Sequence, residues 1–254
     1  MSDKAIILAA GRGERLVKGF EFPKPLKRVA GLPLITRVLH SLESVGVREV
    51  GIVVGHLGET LIRGLRRYDF DLKLHFFWND EVDKPNGTSL LKASDFVTGP
   101  TYLLMSDHLW SPSLFRAVRS VPVHAGESVL GVDYDIDRCF DLDDATKVQT
   151  RGERIVAISK TLPHYDALDT GVFRIDPAFI AQLERLNGPA GCSLSQGVAA
   201  LAQTGRMRVA DVGEARWIDV DTPAAHAAAE HLLQQYGPDL QPAAAQIASC
   251  AFGM

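Results

Sequence analysis

Apolar positions along the chain alternate between two rhythms. Residues 4–9 (KAIILA), 50–54 and 102–105 (YLLM) are short, nearly continuous apolar runs of the kind found in strands buried on both faces. Between the first two, residues 34–45 place Leu34, Ile35, Val38, Leu39, Leu42 and Val45 on a 3.6-residue period, and residues 59–65 form a second periodic stretch. Both predict helices. Gly46 suits the residue just past the first of them, and residues 72–77 begin another strand. Strand and helix thus alternate at βαβ spacing, which implies a mainly parallel sheet with ligands at the carboxyl ends of its strands.

From about residue 127 the rhythm changes. Residues 128–133, 145–150, 154–159 and 168–175 are strand-like with short turns such as Arg151-Gly152, which predicts a mixed or antiparallel extension carrying substrate contacts. Helices are expected at 177–186 and 193–203, a strand at 206–211 and a last helix over 222–235. The expected fold is a three-layer α/β/α sandwich, with a mainly parallel Rossmann-like sheet and an extension at about 127–175. Residues 1–236 form one domain in this reading, and 237–254, with Pro, Gly and an Ala run, form a peripheral tail.

Composition narrows the chemistry. With 254 residues, 46% hydrophobic and 23% charged, one domain is favoured over two. A formal charge of −4 provides no basic field for nucleic acid or an anionic membrane, so any phosphate site must be local. Cys139, Cys192 and Cys250 are widely spaced, which points to neither disulfides nor zinc and fits a reducing cytoplasm. The N-terminus leaves no room for a signal peptide, and no apolar run approaches the ~20 residues of a membrane span.

Candidate chemistry starts at residues 8–16, LAAGRGERL, directly after the first strand. Gly11 and Gly13 let backbone amides approach phosphate oxygens. A dinucleotide-binding loop would need a third glycine where Arg15 stands and an acid near Gly55-His56, and both are missing. Arg15 and Lys24, the latter framed by Pro23 and Pro25, suggest cations aimed at a polyphosphate; a Gly-rich surface turn with solvated charges is the alternative. Asp107 follows the fourth strand, where a carboxylate suits Mg²⁺ better than packing. Asp219 and Asp221 supply a second acid, and spacing does not choose between them. His56, His75 and His108 read as structural or surface residues, and Cys139 as a small, half-buried thiol.

LAAGRGERL followed by FPKPLKRVAGLPLI at 22–35 resembles the opening signature of the sugar-phosphate and alcohol-phosphate nucleotidyltransferases. MSDHLW at 105–110, ATKV at 145–148, YDALDTGVF at 165–173 and WIDVDTP at 217–223 are most similar to the inositol-1-phosphate cytidylyltransferases, and the likeness runs over residues 4–230. The resemblance implies nucleotide contacts at Leu8, Ala9, Ala10, Gly11 and Gly13, and at Asn86, Gly87 and Thr88 near the base. It implies Mg²⁺ on Asp107 and Asp221, with Asp219 the second choice, and catalytic roles for Arg15, Lys24 and Lys147. Lys147 would hold the acceptor phosphate, and Asp169, Thr170 and Gly171 its hydroxyls. Plainer readings remain: Asp221 or Asn86 as a helix cap, and Lys147 as a solvated strand lysine.

The implied reaction joins CMP from CTP to inositol 1-phosphate, giving CDP-inositol and pyrophosphate. A separate membrane CDP-alcohol phosphotransferase would then be a functional partner, and a homodimer is possible on this likeness. Sugar-1-phosphate or phosphocholine transfer is the alternative within the class, and a nucleotide-sensing module without turnover is the alternative outside it.

Overall fold

The computed structural model describes residues 4–16 and 22–240. In chain order its strands and helices are β1 (Lys4–Ala9), β2 (Arg28–Val29), β3 (Leu32–Pro33), α1 (Leu34–Ser44), β4 (Glu49–Val54), α2 (Gly58–Leu65), β5 (Lys73–Trp78) and α3 (Asn86–Leu91). These are followed by β6 (Thr101–Met105), β7 (His108–Trp110), α4 (Pro112–Ser120), β8 (Ser128–Asp133), β9 (Lys147–Arg151), β10 (Arg154–Ser159) and β11 (Ala167–Ile175). The chain continues through α5 (Pro177–Leu186), α6 (Leu194–Gln203), β12 (Met207–Asp211), β13 (Trp217–Asp219) and α7 (Pro223–Tyr236).

Nine strands form one sheet in the order β5-β4-β1-β6-β11-β8-β12-β10-β9. The first four are mutually parallel. β11 then enters antiparallel to both β6 and β8, while β12 lies parallel to β8. The strands of the expected extension continue the same sheet. Side-chain alternation on β1 explains the layers. Ile6 and Leu8 pack in a core with Leu90 of α3, Phe179 and Leu183 of α5, and Val198 and Leu201 of α6. Ala5, Ile7 and Ala9 face a second core containing Leu39 of α1, Leu61 of α2 and Phe115 of α4. The three-layer sandwich follows from these two faces.

Gly46 ends α1 as expected, at φ 88°. The short β2–β3 pair, helix α4 and the β7–β13 pair were absent from the sequence reading. Helix α4 shows its period only at Leu114, Phe115 and Val118, and the β7–β13 pair is three residues long on each side. A third core lies under α7, where Leu16, Val29, Leu109, Ile218, Val220 and Leu233 meet Leu240, which is buried. The start of the expected tail thus packs inward, and 241–254 lie outside the described residues.

Candidate active site

The β7–β13 pair assembles the acids. Asp219 lies opposite His108 in this antiparallel pair, and Val220 N–H donates to the Asp107 carbonyl (3.0 Å), so two segments a hundred residues apart meet beyond the end of β6. Thr222 caps α7 by accepting from Ala225 N–H (3.1 Å), which removes the cap reading of Asp221 and leaves its carboxylate to the site. Lys24, on a one-turn 3₁₀ helix, is only 5% exposed; its ammonium pairs with Asp107 (2.7 Å) and with Asp221. Gly13, at φ 65°, gives the Lys24 stem its place, because a Cβ there would run into that side chain. Arg15 pairs with Asp221 and with Asp144 (3.0 Å).

Burial alone would push the Asp107 carboxyl up, but Lys24 and His108 overcome it and hold the group well below the usual carboxylate range. His108 moves the other way. Burial disfavours its charge, yet Asp219, Asp107 and Asp169 surround it and push its pKa up to about 9. Burial raises the Asp219 carboxyl, with Asp107 adding to the effect. Among the described residues, Asp107, His108 and Asp219 could share a metal, and so could Asp144, Asp219 and Asp221. Asp219 belongs to both groups, and its Oδ1 is buried without a hydrogen-bond partner. An orphaned carboxylate oxygen in an acid cluster fits a hard divalent cation.

Two cavities meet at these acids. One, of about 480 Å³, lies along the glycine loop, lined by Leu8, Ala9, Gly11, Gly13, Arg15, Lys24 and Asp107 together with Arg12, Val82 and Asp83. The other, of about 400 Å³, is walled by Met105, His108, Asp133, Asp169, Gly171 and Asp219, with α7 along one side. Arg15 and Asp221 line both.

A family model of the MobA-like NTP transferase domain matches residues 5–168. The chain belongs to that family. The match takes in the glycine loop and Asp107 and stops just before Asp169. A protein of Rubrobacter xylanophilus described as "Bifunctional IPC transferase and DIPP synthase" is 35% identical over 221 residues, covering 86% of this chain and 49% of that protein. Its namesake from Thermococcus kodakarensis is 33% identical, covering 87% and 48%. This NTP transferase chain therefore spans about half the length of the curated relatives it matches. Among solved structures, the inositol-1-phosphate CTP transferase from T. maritima is 29% identical with a TM-score of 0.78, covering 88% of this chain and 91% of that one.

The structure divides the residues expected to bind. Leu8, Ala9, Gly11 and Gly13 line the glycine-loop cavity, whereas Ala10 is buried and its carbonyl accepts from His56 N–H (3.0 Å). Asn86 faces the second cavity. It does not cap its own helix; its Oδ1 accepts from Leu194 N–H (3.0 Å) at the start of α6. Gly87 and Thr88 line neither cavity. A Cβ at Gly87 would lie 2.6 Å from the Cys192 carbonyl, and Thr88 Oγ1 accepts from Cys192 N–H (3.2 Å), so both serve the packing of the 187–193 loop. Asp169 lines the second cavity and accepts from Gly171 N–H (2.8 Å), and burial raises its pKa to about 6. Gly171, at φ 75°, leaves room for the His108 ring, while Thr170 turns into the core and donates to the Gly131 carbonyl (2.8 Å).

Lys147 requires a correction. Its ammonium does not project into the cleft: it is buried and donates to the Leu142 (2.6 Å) and Asp143 (3.0 Å) carbonyls, because a buried ammonium must find acceptors locally. The lysine that does line the cavity is Lys160, paired with Asp144 (2.6 Å). His108 makes the hydrogen bond expected of a structural histidine, with Asp107 (3.0 Å), and also stands in the cavity wall. Three further wall residues escaped sequence reasoning. Asp133, 2% exposed, is gripped by Arg138 (2.9 and 3.0 Å) and by Trp217 Nε1 (2.8 Å). The signal in the sequence was a carboxylate ending an otherwise apolar strand, SVLGVD.

Proposed function

We propose that the chain transfers CMP from CTP to a phosphorylated polyol, inositol 1-phosphate, giving CDP-inositol and pyrophosphate. The observation that carries this reading is the pair of cavities that share Arg15 and Asp221. A two-substrate transfer needs two pockets whose reactive ends touch, and the shared wall holds both the cations and the acids. The printed names of the relatives and of the T. maritima structure supply the choice of nucleotide and acceptor.

In this reading the NTP lies along the glycine loop, with the amides following β1 and the side chains of Arg15 and Lys24 on its phosphates. The acceptor occupies the second cavity, with Asp169 and His108 available to its hydroxyls and Lys160, which lines the same cavity, to its phosphate. Lys147 secures the 141–144 turn that carries Asp144. An acceptor phosphate oxygen attacks the α-phosphorus, the bond to the β-phosphate oxygen breaks, and pyrophosphate leaves with the electron pair. The attacking group is already anionic, so no side chain need remove a proton. Asp107, Asp219 and Asp221 would hold Mg²⁺, which supplies charge neutralisation for the two phosphates that must approach each other.

No described helix is long and apolar enough to cross a membrane. A membrane-embedded CDP-alcohol phosphotransferase as consumer of the product, a cytoplasmic location and a homodimer belong to the same proposal. The deciding experiment is pyrophosphate release with Mg²⁺, each of the four NTPs, and inositol 1-phosphate, glucose 1-phosphate, glycerol 3-phosphate or phosphocholine. Release confined to CTP with inositol 1-phosphate is expected. Activity with another pair would refute the assignment of substrates, and silence across the panel would refute the transferase reading.

A further inference from the structure

The glycine-loop cavity carries a second charged pair that the phosphate chemistry does not use. Arg12 Nε donates to Asp83 Oδ1 (2.9 Å) and Arg12 Nη2 to Asp83 Oδ2 (3.1 Å), a two-pronged pair joining the glycine loop to the turn after β5. Both residues line the cavity, next to the apolar surfaces of Val82 and Leu8. An ion pair this exposed contributes little to folding. The turn beneath it is nevertheless held firmly. Asn79 is buried, donates to Ser89 Oγ (2.9 Å) and accepts from Glu81 N–H (2.9 Å). Gly55 is required under the turn, since a Cβ there would lie 2.6 Å from Val82 Cγ1 and 2.8 Å from the Asn79 carbonyl. Glu81 is taken by Lys84 and Lys92, and Asp80 by Lys92, so Asp83 is the acid that this turn presents to the cavity.

Resting on the nucleotide reading above, we propose that Arg12 and Asp83 read the Watson–Crick edge of the base and select cytosine over uracil. The chemistry matches atom for atom. Cytosine offers an amino donor beside two acceptors, N3 and O2; uracil offers an acceptor at position 4 and a donor at N3. A carboxylate accepts only, and two of its roughly four lone-pair sites remain after it has taken the two bonds from Arg12; the guanidinium keeps three of its five N–H groups. The pair can therefore accept from the cytosine amino group and donate to N3 or O2 without coming apart. Against uracil the carboxylate would face a carbonyl oxygen, two acceptors with no proton between them.

The test is equilibrium titration of the full chain with CTP and with UTP, in Mg²⁺ and without acceptor, for the wild type, Asp83→Asn and Arg12→Lys, with melting curves confirming that each variant is folded. A carboxamide can donate where the carboxylate could only accept, so Asp83→Asn should lower the CTP-over-UTP affinity ratio on the order of tenfold, the scale of one good two-pronged base contact. Arg12→Lys keeps the charge and loses the fork, and should lower the same ratio. Variants that keep the wild-type ratio overturn the proposal. So does equal weakening of CTP and UTP, which would make the pair a latch. Pyrophosphate release by the wild type is scored separately: a transferase that uses CTP while its variants keep the ratio would sink the base-reading pair alone, and a wild type that prefers a purine nucleotide would sink the choice of CTP as well.

Discussion

Replacing Asp169 by Asn should make the protein more stable at neutral pH and less able to hold its acceptor. Burial moves this carboxyl from its ordinary value of 3.8 up to about 6, against the opposing pull of the Gly171 N–H and His108. The sign follows from proton counting. Between roughly pH 4 and 6 the folded chain binds more protons at this position than the unfolded one, so stability falls as pH rises through that window. Above it, charging this partly buried group costs at most roughly 3 kcal/mol, taking about 1.36 kcal/mol for each pKa unit. Asn is isosteric and its Oδ1 can still accept from Gly171, so the variant should recover much of that. In metal-free buffer at pH 7.5 its melting temperature should rise by several degrees, at roughly 2–4 °C per kcal/mol for a chain of this size. The two proteins should converge near pH 4. The acceptor KM should rise, since a hydroxyl loses its charged partner. A variant that is equally or less stable at pH 7.5, or a gain that persists unchanged at pH 4, would refute the assignment of a partly buried, unfavourably charged carboxylate.

The other expectations are simpler. Asp107→Ala should lower kcat by several orders of magnitude while the melting curve stays two-state, and near-normal turnover would remove Asp107 from the metal set. Gly171→Ala places a Cβ 2.7 Å from the His108 ring at a φ that only glycine takes easily; a loss of about 1–3 kcal/mol and a raised acceptor KM are expected, and chemical denaturation with steady-state kinetics reads both. Lys147→Met should destabilise the chain by about 1.5–3 kcal/mol through its two lost charge-assisted bonds, seen in a denaturant midpoint. A lesion confined to the acceptor KM, with the midpoint unchanged, would restore Lys147 to direct contact with the acceptor.

The elements legible in the sequence were those whose pattern is local. β8, β10 and α5 fall at the residues that the local apolar pattern places them on. The glycine loop and Asp107 were legible for the same reason: each follows an apolar run that can only be a buried strand. What failed depends on distant pairing. Nothing in WID or HLW taken alone announces a strand, yet their three-residue pairing puts Asp219 beside His108. Gly87 illustrates the converse. The resemblance implied a nucleotide contact there, but the backbone it makes room for belongs to residues 192–193, a hundred positions away. The resemblance implied an acceptor contact for Lys147, but burial of its ammonium depends on the Leu142 and Asp143 carbonyls, which only the folded turn supplies.

The unbroken sheet has a kinetic consequence. Strands that reach the two cavities lie in one sheet, and β6 is locked to β11 through Phe173 opposite Leu103, Arg174 opposite Tyr102 and Ile175 opposite Thr101. There is no seam there at which one half could swing away from the other, because a hinge would have to tear backbone hydrogen bonds out of the middle of the core. Substrate entry and product exit must therefore be carried by surface segments such as 136–146, whose motions are faster and smaller than those of whole domains. A substitution in the ladder would disturb both pockets together, and one in a rim loop would disturb one pocket at a time.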